Sequence, residues 1–89
     1  MSKITVEKPS KEKLAEMKTG TWGDWGCCVS EFDWHYDDRE TCYILEGRVE
    51  VEAEGEIVSF GPGDLVVFPK GLSCRWKVTE PVRKKFRFG

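Results

Sequence analysis

No apolar run in this 89-residue sequence approaches the ~18 residues of a membrane-spanning helix. The first ten residues, MSKITVEKPS, have neither the apolar core of a secretory signal nor the Arg-rich, acid-poor character of a transit peptide. The expected location is the cytoplasm, with an organelle as the alternative if a transit segment has been removed. The four cysteines contain no C-x-x-C pair, which speaks against a finger-type zinc site. Without an export signal, free thiols in a reducing compartment are expected, the adjacent Cys27 and Cys28 included. Neither sign of charge dominates. The formal net charge of −2 gives no electrostatic reason to expect nucleic acid or an anionic membrane as partner. Internal repeats and low-complexity segments are also missing.

What is present fits one domain, 1–89. A chain of this size buries about 60–70% of its unfolded surface, so its core is thin and a second subunit would help. The charges are segregated. Glu46, Glu50, Glu52, Glu54 and Glu56 crowd mid-chain, while Arg83, Lys84, Lys85 and Arg87 crowd the end. Solvated strand faces explain this, and acidic-to-basic self-association is the sharper alternative.

Residues 3–8 alternate like an edge strand, and Pro9 stops them. Ser10 is placed to cap a short helix over 11–18, with Leu14 and Met17 on one side and Gly20 as its stop. TWGDWG reads as irregular, so an N-terminal strand and helix (1–26) precede a barrel core (27–89). From there the period is two. Phe32, Trp34 and Tyr36 share one face; Glu31, Asp33 and His35 share the other. A strand over 40–45 closes at Glu46-Gly47, and Val49, Val51 and Ala53 oppose Glu50 and Glu52. Glu54-Gly55 reads as a tight hairpin and Gly61-Pro62-Gly63-Asp64 as a turn. LVVF is a short buried strand. After Pro69-Lys70-Gly71, Cys74, Trp76 and Val78 share a face; Pro81 is expected to break that strand. Val82, Phe86 and Phe88 line one side of the last strand. About eight short strands and one helix make an all-β fold, sandwich or barrel.

Two spaced patterns narrow this further. Six residues separate Glu40 from Gly47, and Gly63 leads through Pro69-x-Gly71 to Cys74. In this order the sequence resembles the two motifs of the cupins over residues 28–79. That implies a cupin jelly-roll β-barrel with one short N-terminal helix. The wording ETCYILEG, GDLVVFPKG, CRW and EPVRK resembles very small cupins grouped with the ureidoglycine aminohydrolase cupin domain and, more distantly, with ethanolamine-utilisation cupins. The resemblance implies a barrel and a homodimer, and leaves the substrate unassigned.

Metal-binding cupins use His-x-His, then Glu, then a later His. Alternation turns Trp34 and Tyr36 inward and the lone His35 outward, and Cys74 stands at the second-motif position. A metal-free barrel is the favoured reading. A shifted register would instead make His35, Glu40 and Cys74 a ligand set for a divalent ion such as zinc, manganese, iron or nickel.

The favoured site is a pocket in which Glu40 faces Phe32, Trp34, Tyr36, Cys42, Cys74 and Trp76. A carboxylate there is a candidate acid or base, and rings around it suit a cationic or amide-bearing ligand. Three functions follow: a small-molecule-binding cupin, an aminohydrolase-like enzyme on a small ureide or amide, or a plugged structural dimer.

Overall fold

The computed structural model describes residues 4–89. It contains β1 (Thr5–Glu7), α1 (Lys11–Met17), a 3-10 turn (Thr19–Thr21), β2 (Gly23–Cys27), β3 (Ser30–His35), β4 (Glu40–Ala53), β5 (Glu56–Phe60), β6 (Leu65–Phe68) and β7 (Ser73–Phe88). Lys3, the first residue of the expected edge strand, lies outside the described residues. The sheet order is β1-β6-β4-β7-β2, with β3 also on β7 and β5 also on β4, all antiparallel. The fold is an all-β antiparallel jelly roll with one short helix among the described residues. No helix among the described residues is long and apolar enough to cross a membrane.

Four expectations change. Among the described residues seven strands replace about eight, because two pairs merge into the long β4 and β7 and one strand is added. The addition is β2, which lies in the TWGDWG segment read as irregular; it pairs with the end of β7, Trp25 opposite Lys84. Its two glycines hide the alternation. Gly23 is needed there, since a Cβ would come within 2.8 Å of the Phe86 ring. The helix ends at Lys18, in the left-handed region at φ 55°, and not at Gly20. Ser10 does cap its start, accepting from Lys13 N–H at 3.1 Å.

Pro81 does not break β7. Register steps from Glu46 opposite Arg83 to Arg48 opposite Glu80, so Pro81 and Val82 face Gly47 alone. A bulge tolerates proline because the ladder is interrupted there anyway. Gly47, at φ +88°, fits only as glycine: a Cβ would fall onto the Pro81 carbonyl. The distortion also flips parity along β4. Glu40, Cys42 and Ile44 are buried before it, and Val49, Val51 and Ala53 after it.

The core is aromatic at its centre. Tyr36 stacks on Phe68 at 4.9 Å, and Trp76 meets Phe68 at 5.6 Å and Phe60 at 5.8 Å. These rings fill part of the barrel. Glu54 and Gly55 both have positive φ, as a type I′ hairpin requires. The acidic stretch faces β7 cations across the sheet: Glu46 lies opposite Arg83 of the basic stretch, while Glu50 and Glu52 lie opposite Lys77 and Arg75, which are outside it.

Candidate functional site

The barrel is hollow between β2, β3, β4 and β7. A cavity of about 250 Å³ lies there, walled by Trp25, Phe32, Tyr36, Trp76 and Phe86, with Trp34 and Phe88 beside them. Trp34 and Phe88 are about half exposed (49% and 52%) and form its rim. Register explains the walls. Phe32 is opposite Trp76 and stacks on it at 6.1 Å; Trp25 meets Trp76 edge-on at 5.9 Å. Arg39 secures the rim by donating from Nη2 to the Gly89 carbonyl at 2.7 Å, next to Phe88.

Two charged side chains enter this apolar space. Glu40, the first residue of β4, is 4% exposed, and Lys84 of β7 is 5% exposed. Lys84 Nζ donates to Glu40 Oε2 at 3.0 Å. The same ammonium lies 4.7 Å from the Trp76 ring centroid and 4.9 Å from that of Trp25, a cation held between two indoles. Among the described residues the buried Glu40 Oε1 makes no hydrogen bond of ordinary length and angle; only the Tyr36 phenol interacts with the carboxylate as a further donor. Burial first, then the Glu40 charge, and last a hydrogen-bonding interaction with that carboxylate push the Tyr36 phenol well above its ordinary pKa, so it stays protonated.

The residues expected from the sequence divide. Phe32, Trp34, Tyr36 and Trp76 surround Glu40 as lining residues. Cys42 and Cys74 do not. Cys42 is fully buried in the core, where desolvation pushes its thiol up to about 12. Cys74 is buried in the core on the inward face of β7 and also borders an open depression with His35 and Arg75; burial pushes it up to about 11. Both are protonated at neutral pH and pack as small apolar groups. Trp25, Lys84, Phe86 and Phe88 were not in the expected set. Lys84 was legible: it alternates with Val82 and Phe86, which places its side chain on their inward face. Trp25 was hidden with β2.

His35 lies on the outer face. Its Nδ1 is 2.8 Å from Ser73 Oγ and its ring is exposed. Its neighbours there, Glu31 and Asp33, pair with Arg75 at 2.5 and 2.9 Å. His35 therefore cannot join the buried Glu40, and the alternative set His35, Glu40 and Cys74 is not assembled. No three His, Cys, Asp or Glu side chains converge into a metal-binding group among the described residues. At the inward positions stand an indole, a phenol and a protonated thiol, with an ammonium on the remaining carboxylate. That donor set does not fit a cupin metal ion.

A jelly-roll barrel with its pocket built on these two motifs is a cupin. The match to the EutQ-like cupin domain family spans residues 14–86, and the chain belongs to that family. It is 56% identical to a DUF861-family protein from Thermotoga maritima, over 98% of this chain and 100% of that one, with a TM-score of 0.96. Acetate kinase EutQ of Clostridioides difficile is 30% identical over 63 residues, 65% of this chain. The chain spans only 40% of that relative's length. The EutQ structure from Salmonella typhimurium shares the fold at TM-score 0.69 and 24% identity, over 96% of this chain and 68% of that one.

Proposed function

We propose that this cupin binds a small, neutral, polar molecule of the amide or ureide class, without a metal. One observation carries the reading: Glu40 Oε1 is a buried acceptor with no hydrogen bond of ordinary geometry, in an aromatic cavity beside the Lys84 ammonium, with only the Tyr36 phenol as a further donor to the carboxylate. A buried acceptor left unsatisfied costs about 1–3 kcal/mol. An amide presents the complementary pair, an N–H for Glu40 and a carbonyl oxygen for Lys84. The volume, about 250 Å³, lies below the ~300–1,000 Å³ of pockets for drug-sized ligands, so the ligand is a small metabolite.

Titration with N-methylurea and butanamide, followed by tryptophan fluorescence and indole N–H resonances, tests this. Saturable shifts at Trp25, Trp34 and Trp76 are expected. Glu40→Gln should weaken binding about tenfold or more, the loss of one charge-assisted hydrogen bond. Absence of saturable shifts for both amides in the folded protein would discard the reading.

Hydrolysis of such a ligand, with Glu40 as acid or base, is a second reading. The same carboxylate oxygen and the resemblance to ureidoglycine aminohydrolase cupins support it; ammonia release is its assay. A homodimer is proposed from the exposed apolar side chains Val29, Leu45 and Ile57, and sedimentation equilibrium would test it.

A further inference from the structure

We propose that Lys84 is a nucleophile that forms an imine with a small aldehyde or ketone held in this cavity. The proposal rests on reading the cavity as a small-molecule site.

The surroundings of Nζ favour this chemistry. Lysine becomes a nucleophile where it is desolvated and a neighbour can take its proton. Lys84 is 5% exposed and lines the cavity, so the little access it has is to the pocket. Glu40 Oε2, at 3.0 Å, is the proton acceptor. Glu40 Oε1 makes no hydrogen bond of ordinary geometry and can serve the bound molecule. The aromatic walls offer water few polar partners, which favours dehydration of the adduct.

The step balances without a further reagent. Lys84 passes a proton to Glu40. The amine lone pair attacks the carbonyl carbon, a C–N bond forms, and the C=O π pair moves to oxygen. A proton shifts from nitrogen to that oxygen, giving a carbinolamine. Glu40 then protonates the hydroxyl, the C–O bond breaks, and water leaves as the nitrogen lone pair closes the C=N bond. An ammonium and a carbonyl have become an iminium and water; nothing is oxidised or reduced.

The charge stays where it was. The iminium retains the Glu40 carboxylate as partner and the faces of Trp25 and Trp76, 4.9 and 4.7 Å from the original nitrogen. A neutral product would leave Glu40 as a buried, unpaired charge. The cavity is thus built to hold a cation before and after reaction.

Incubation with butanal and sodium cyanoborohydride, which reduces an iminium to a stable amine, tests the proposal. Peptide mapping of the wild-type protein should find one butyl group on Lys84 before the exposed Lys70 and Lys77 react. Labelling of Lys84 should saturate with butanal and be slowed by butanamide. Lys84→Arg should remove the fast phase alone, and Glu40→Gln should slow it at least several-fold. Labelling of Lys84 no faster than Lys70 or Lys77 overturns the proposal. If butanamide still shifts the pocket indoles in that case, the nucleophile falls and the binding site stands; if it does not, both fall.

Discussion

Lys84 and Glu40 meet at 3.0 Å although neither is the other's cross-strand partner. Glu40 lies opposite Phe88, and Lys84 opposite Ile44. Their contact arises because both side chains enter the same apolar cavity. Two charges there have lost their hydration, and each depends on the other.

That dependence sets the first prediction. Lys84→Met alone should destabilise the protein by about 3–5 kcal/mol, because a carboxylate is left buried and unpaired. The Glu40→Leu/Lys84→Met double variant should recover most of this loss. Urea unfolding of the four proteins in the cycle measures both. A double variant no more stable than Lys84→Met would show that the pair is not coupled.

The β4–β7 bulge gives a second. Gly47→Ala should cost at least about 2 kcal/mol more than Gly55→Ala. Both residues have positive φ, which costs an alanine about 1–2 kcal/mol. Only at Gly47 does the new methyl also meet backbone, at 2.6 Å from Val82 Cα; at Gly55 there is open space. Thermal unfolding of the two variants compares them directly.

Acid stability should depend on Asp64. Burial raises its pKa, but hydrogen bonds from Lys8 and the Gly61 N–H, each 2.8 Å long, outweigh this and hold it below the usual value. A carboxyl with a lowered folded pKa stabilises the protein above its unfolded pKa of about 3.9. The contribution is lost as pH falls through the folded value. Asp64→Asn should therefore flatten the stability profile below about pH 4 and lower stability at pH 7. Denaturant midpoints across that range provide the measurement; an unchanged acid limb would contradict it.

Thiol reactivity should follow burial. Cys28 is exposed and should react first with a disulfide reagent at pH 8, followed by the half-buried Cys27. Cys42 and Cys74, pushed up to about 12 and 11, should react only on unfolding. Stopped-flow labelling in native and denaturing buffer separates the classes. Rapid native labelling of Cys42 would show that the core opens.

Alternation along the chain determined much of this protein. Inward and outward faces of β3, β4 and β7 follow from period two, because a strand can bury only every second side chain. Hence Glu40 among Phe32, Tyr36 and Trp76, and His35 on the outside, are readable without coordinates. The turns at Glu54-Gly55 and Gly71 are equally local, since few residues accept positive φ. Tertiary structure alone decided the rest. Whether Pro81 ends a strand or sits in a bulge depends on what Gly47 presents across the sheet. Whether TWGDWG is a strand depends on the edge that β7 offers it. The partner of Glu40 was settled by folding, because a buried charge pairs with whichever opposite charge the barrel brings through the same wall, however far apart the two lie in the chain.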